Sequence, residues 1–150
     1  MRKALLVVGA TLAVPATALG AALVYDTGIY SGATSQHHGI AMKVSPGRMD
    51  KMVYEVNFRC IDKAGQTATL SNHTTKLGAA TISNQQINTV YKNANDTDEV
   101  HLRVAFNHGK AAGWFKEELL VSHGGHVFTC VTPGGHATAA GKVGFEMKVQ

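Results

Sequence analysis

Histidines beside glycine turns are the residues of this chain that most directly suggest chemistry. Two of the eight, His123 and His126, flank a Gly-Gly pair. Neutral imidazole is a common metal ligand, and across a tight turn both rings could reach one ion. Further ligands would come from the remaining turn histidines, namely His37, His38, His108 and His136. The competing interpretation is that these are exposed turn residues, because no carboxylate lies nearby in sequence to orient them.

Aromatic side chains with polar tips suggest a second kind of site. Tyr30, Tyr91 and Trp114, together with Tyr25, could line a surface that binds carbohydrate or peptide. Equally, Trp114 could cap one end of a hydrophobic core, and it would then have no role in recognition. The sequence leaves both interpretations open and favours the second.

Patterns for catalysis are weak. The chain has no Gly-x-Ser-x-Gly elbow, phosphate-binding loop, dinucleotide fingerprint or haem-attachment motif. A carboxylate pair for sugar hydrolysis could be drawn from Glu55, Glu99, Glu117 and Glu118. Alternation puts Glu55 and Glu99 on the polar faces of strands, and the register of the other two is open. We therefore expect no enzyme activity and assign no catalytic residue.

The two cysteines, Cys60 and Cys130, predict a single disulfide. It would close a loop of about 70 residues, which the chain-entropy model makes worth roughly 4 kcal/mol. No Cys-x-x-Cys motif supports the alternative of two redox-active thiols. The simplest arrangement places the bond between strands of two different sheets.

Extended strands must position these residues, and the clearest of them is residues 52–60. Its even-numbered residues are apolar or cysteine and most of its odd-numbered residues are polar, which is typical of a strand with one dry face. Residues 99–107 and 143–149 alternate in the same way. Residues 115–120 could form a short helix, but a strand fits their neighbours better.

About eight to ten short strands with glycine-rich turns follow from the pattern, and no long helix does. The 16 glycines and a charged fraction of only 16% agree with a β-rich domain. We predict an all-β fold, a two-layer antiparallel β-sandwich of Greek-key, immunoglobulin-like type.

The N-terminus has the layout of a secretory signal peptide. Arg2 and Lys3 precede an apolar run over residues 4–14, and Pro15 and small residues follow. We expect residues 1–22 to be a leader cleaved between Ala18 and Ala22, and residues 23–150 to form one domain. The alternative is an uncleaved membrane anchor, because the apolar stretch continues to membrane-spanning length.

The charge balance argues against nucleic acid as a partner. Losing Arg2 and Lys3 would leave 12 of the 14 basic residues against 10 acidic ones. The remaining lysines and arginines are scattered, without a basic stripe that interleaves with aromatics.

The order of short motifs resembles a loose group of small exported bacterial proteins associated with Actinobacteria. The similarity lies in residues 28–36, in residues 40–45, and in the strand that ends at Cys60. It continues in the glycine-rich segment 123–130 and the last strand, residues 142–149. This chain departs from the group in its several histidines. The resemblance implies an exported β-sandwich and carries no activity.

Together these features predict an exported, non-enzymatic β-sandwich module with a binding or structural role at the cell surface or outside the cell. Its partner would be a macromolecule or small ligand, self-association is possible, and membrane contact would come only through an uncleaved leader. The alternative is a small secreted metal or ligand carrier that uses His37, His38, His123 and His126. A secreted hydrolase is the least favoured interpretation. No cofactor is expected beyond such a metal ion.

Overall fold

Antiparallel β-strands joined by short turns make up the fold. The computed structural model describes residues 25–135 and 139–150, so the predicted leader lies outside the described residues. The strands in chain order are β1 Gly28–Thr34, β2 Gly39–Ser45, β3 Arg48–Asp62, β4 Thr67–Leu77, β5 Ala80–Thr81, β6 Gln86–Lys92, β7 Asp98–Asn107, β8 Lys110–His123, β9 His126–Val131 and β10 Val143–Val149.

Hydrogen bonding joins the strands into one continuous sheet. Its order is β10-β1-β2-β3-β9-β8-β7-β6, and β4 and β5 pair with β3. Since β10 also pairs with β8, the pairing runs in a closed circuit through β1, β2, β3, β9, β8 and β10. Two long strands make this possible. β3 pairs with β2 near its start and with β9 near its end, while β8 pairs first with β10 and then with β9.

The alternating residues point into a shared hydrophobic core. In β3 the predicted dry face is buried, and β7 contributes a second buried row. The rings of Tyr54 and Phe115 stack with centroids 4.0 Å apart, so β3 and β8 meet across the interior. The residues of these two buried rows are Met52, Tyr54, Val56, Phe58, Cys60, Val100, Leu102, Val104 and Phe106.

The predicted all-β antiparallel fold with one disulfide is confirmed. The two-layer arrangement, the Greek-key connectivity and the immunoglobulin likeness stay predictions, because the described strands belong to one continuous sheet. The short helix considered for residues 115–120 is replaced by strand β8, in which Phe115, Glu117 and Leu119 all point inward.

Two strands are longer than the sequence pattern indicates. The mostly polar residues 71–77 belong to β4 because the long β3 offers pairing partners as far as Leu77. The alternation of inward and outward residues in β4 is interrupted at one place. There the register against β3 shifts between Val56 and Phe58, and Asn72 has a positive φ. β8 begins already at Lys110, since the preceding turn is reduced to His108 and Gly109.

The disulfide joins neighbouring strands, and the prediction that it would link two different sheets is wrong. Cys60 and Cys130 are bonded, and they stand directly opposite each other in the β3–β9 pair. Both are buried. β9 pairs both with β8, which precedes it in the chain, and with the last residues of β3. The disulfide therefore holds β9 in the position where it connects the two long strands.

We expect replacement of both cysteines by alanine to lower the free energy of unfolding by roughly 2–4 kcal/mol, because the bond closes a loop of about 70 residues. Urea unfolding monitored by Trp114 fluorescence measures this. Adding dithiothreitol to the unaltered protein should reproduce the loss and leave the double variant unchanged. Equal stability of oxidised and reduced protein would contradict the role given to the bond.

Candidate functional site

A shallow open groove crosses the outer face of β1, β10 and β8. Its volume is about 1110 Å³. It forms because three outward positions on these strands carry a methyl group or only hydrogen: Ala33, Ala112 and Gly144. The register places Glu146 opposite both Ala33 and Ala112, so its carboxylate lies between two small side chains on the outer face.

Two glycines at the groove are required by close backbone approach. A Cβ on Gly32 would overlap the carbonyl oxygen of Glu146, and a Cβ on Gly113 would overlap the carbonyl oxygen of Arg103. Any larger residue would push neighbouring strands apart. The shallow profile of the groove therefore follows partly from how tightly β1, β10, β8 and β7 are packed.

Charged side chains border the small residues. Lys110 and Lys148 stand directly opposite each other across the β8–β10 pair, and both line the groove. Within residues 25–135 and 139–150, neither lysine has an ion-pair partner, and Glu146 has none. The groove thus presents two uncompensated positive charges and one negative charge to solvent.

Trp114 lies next to the groove, beside its lining residue Gly144. It stands opposite Gly144 in β10 and opposite Arg103 in β7. The Lys142 ammonium lies 4.3 Å from the ring centroid, and the Arg103 guanidinium carbon lies 6.0 Å from it. Trp114 is half-buried on the outer face, so it does not cap the core. Its place beside the groove supports the binding interpretation.

The two tyrosines proposed for binding have other roles. Tyr30 is fully buried, and its hydroxyl donates to the carbonyls of Asp26 and His108 at 2.7 and 3.2 Å. It therefore cannot line an external surface, and that assignment is wrong. Tyr91 is half-buried at a small pocket of about 210 Å³, and its hydroxyl donates to the Gly78 carbonyl at 3.0 Å. This bond links β6 to the end of β4.

The four histidines proposed as metal ligands lie in two turns. His123 and His126 face each other at the ends of the β8–β9 hairpin, whereas His37 and His38 belong to the β1–β2 turn. The described part of the chain contains no group of three or more side chains arranged to hold a metal ion. His108 uses its backbone carbonyl to accept from Tyr30. His136 lies outside the described residues.

His126 has a carboxylate partner that sequence proximity could not show. Its Nδ1 lies 2.9 Å from Oδ2 of Asp62, at the end of β3. Burial of that carboxyl favours a higher pKa, but hydrogen bonds from the Gln66 and Ala64 amides and from His126 outweigh it and hold the Asp62 pKa below its usual range. The arrangement closes the β3–β4 turn and ties it to β9.

The most unusual buried group is Glu117, which has no exposed surface. Its carboxylate accepts from the Tyr54 hydroxyl at 2.8 Å and from the Thr75 hydroxyl at 2.8 Å. The Glu117 amide donates to the Thr132 hydroxyl at 3.1 Å. Three strands, β3, β4 and β8, thus converge on one polar cluster inside the core. The sequence offered Glu117 only as one of four carboxylates for sugar hydrolysis and left its register open, so its burial beside Phe115 and Leu119 was not predicted.

Burial raises the pKa of Glu117 to about 7, even though the hydrogen bonds from Thr75 and Tyr54 act to lower it; nearby Asp98 raises it further. Burial also raises the pKa of Asp98, which His73 acts to lower. One Asp98 oxygen is buried without a hydrogen-bond partner in the described structure. Glu117 is therefore protonated in the folded protein at mildly acidic pH.

The other carboxylates proposed for catalysis are on the surface. Glu55 and Glu118 are exposed, and Glu99 bonds to Lys92 and His101. Glu117 and Glu118 point to opposite faces of β8. The four carboxylates are thus dispersed over both faces of the sheet and do not converge on one site.

Comparison with protein-family models, with curated proteins and with solved structures found no match to this chain. In the described ranges, no helix has the length and apolar character needed to cross a membrane.

We expect Glu117→Gln to remove a pH-dependent loss of stability. Because the folded pKa exceeds the unfolded value, the protonated carboxyl favours folding below about pH 4.5, and this contribution disappears as the pH rises through about 7. Relative to the variant, the unaltered protein should lose up to about 3 kcal/mol between about pH 5 and about pH 8. Urea unfolding across this range measures the difference.

Glu118→Gln is the matched control for this experiment. It removes the same carboxylate from the next residue, on the exposed face of β8. Its stability curve should run parallel to that of the unaltered protein. Parallel curves for Glu117→Gln and the unaltered protein would contradict the assignment.

Proposed function

We propose that the protein is an exported, non-enzymatic binding module that holds an extended macromolecule in the groove formed by β1, β10 and β8. The observation that carries the proposal is the groove itself, an open concave surface of about 1110 Å³ that is lined by unpaired charges and has Trp114 next to it. Ligand-binding clefts in proteins typically have volumes of about 300–1,000 Å³ and a few fixed polar groups that orient the ligand.

Export is supported by two independent features. The first is the order of residue types over residues 1–22: basic residues, then an apolar run, then small residues. This order is typical of a secretory leader. The second is the disulfide, since such bonds persist mainly in oxidising compartments outside the cytosol. The resemblance to small exported actinobacterial proteins agrees with this location. A role at the cell surface or in the medium follows.

The metal-carrier alternative has weaker support. His123 and His126 do face each other, but His126 is engaged by Asp62 and the other pair lies in a separate turn. The groove offers a larger surface and more chemically diverse groups than this hairpin end. We therefore favour macromolecular binding over metal carriage.

Filling the groove should abolish binding. Ala112→Trp places an indole among the small residues, while Ala68→Trp makes the same change at an exposed position of β4. The exported protein is titrated against immobilised dextran, polygalacturonate, polyglutamate and single-stranded DNA. We expect saturable binding to at least one polymer, lost by at least about tenfold in Ala112→Trp and kept in Ala68→Trp. Failure to bind any of them, or equal effects of the two variants, would refute the proposal.

Export is tested separately. The full chain expressed in a secreting bacterial host should be recovered outside the cytoplasm with its new N-terminus between residues 18 and 23, as found by N-terminal sequencing. Arg2→Glu with Lys3→Glu removes the positive charges of the leader and should retain the chain inside. Cytoplasmic accumulation of the unaltered full-length chain would contradict the assignment.

A further inference from the structure

We infer that the ligand of the groove is an acidic polysaccharide, whose anionic groups lie against Lys110 and Lys148 and whose sugar ring packs on Trp114. This inference rests on the proposed function, because it names the chemistry of the polymer in the same groove.

Strand pairing collects cations that are far apart in the sequence. Lys110 and Lys148 face each other in the groove, and Arg103 and Lys142 lie near the ring of Trp114 next to it. Against these four positive charges stands one acidic residue, Glu146, between them. The net positive field at this face attracts a polyanion and strengthens its encounter at low salt.

The two groove lysines form a like-charge pair that a ligand would relieve. Directly opposite like charges on a sheet are destabilising. The structure repeats this pairing in Lys43 and Lys51 on β2 and β3, which lie outside the groove. The second pair has the same charge and is also directly opposed across antiparallel strands, so it serves as the control for the contribution of the groove.

Glu146 and Trp114 favour a sugar over other polyanions. A carboxylate accepts hydrogen bonds but cannot donate them, so it suits a ligand that is rich in hydroxyl donors. The indole offers an apolar face on which the C–H face of a sugar ring can pack once the exposed Lys142 side chain, 4.3 Å from the ring centroid, turns away. Glu146 has no ion-pair partner among the described residues and is exposed, so its oxygens are accessible to such hydroxyls.

Single-stranded nucleic acid is a poorer fit. Binding it depends on several aromatic platforms along a positive channel. Among the described residues, the one aromatic side chain that lines the groove, Phe145, is buried, and Trp114 is a single half-exposed aromatic beside it.

The test compares Lys110→Ala/Lys148→Ala with Lys43→Ala/Lys51→Ala in the exported protein. Both variants remove two charges from a directly opposed lysine pair. Against soluble polygalacturonate, measured by titration calorimetry, we expect the groove variant to raise Kd by at least about tenfold. The control pair should change Kd by less than about threefold, and the salt dependence of binding should be weaker only in the groove variant.

Two further probes define what would overturn the inference. Equal affinity for dextran and polygalacturonate, with binding still lost in Ala112→Trp, would refute the acidic ligand and leave the binding module intact. Tighter binding to single-stranded DNA or polyglutamate than to polygalacturonate would replace the sugar with another polyanion. If Ala112→Trp left the binding of every polymer unchanged, the groove would not be the binding site, and the proposed function would be refuted as well.

Discussion

The closed circuit of strand pairing is the constraint on which the rest of the structure depends. β9 is only six residues long, yet it pairs with β8 through its hairpin and with the end of β3 across the molecule. It thereby links the two long strands that carry most other pairings. The Cys60–Cys130 bond lies at this joint, where loss of pairing would open the circuit. Once the circuit fixes the register of β8, the position of Glu117 is no longer free, because a shift by one residue would expose its apolar neighbours on the same face. The burial of a carboxyl group is therefore a consequence of burying those neighbours, and hydrogen bonding and protonation offset part of the desolvation cost.

Local alternation made much of the fold predictable. Residues 52–60, 99–107 and 143–149 all form strands, and two cysteines in one chain sufficed for the disulfide. The length of β4 was not predictable, since its polar second half is extended only because β3 pairs with it. Nor was the burial of Tyr30 predictable, since it depends on hydrogen bonds from its hydroxyl to the carbonyl of Asp26, just before β1, and to that of the distant His108.

The groove could not be found in the sequence for a related reason. Lysines and an arginine that are scattered along the chain become neighbours only after β7, β8 and β10 are placed side by side. The absence of a basic stripe in the sequence therefore says little about the surface of a sheet. A patch of this kind is assembled by register, and one sequence does not specify which distant strands will pair.

The same pairing limits how the groove can recognise a ligand. Each strand beneath it is hydrogen-bonded on both edges: β1 to β10 and β2, β10 to β1 and β8, and β8 to β10 and β7. No backbone edge is left among these described strands for an added strand, so the proposed recognition would have to come from side chains. Because the central side chains are small, the polar groups at the borders would determine both specificity and affinity. A charged, hydroxyl-rich chain that lies flat across the sheet satisfies those groups without needing a free edge.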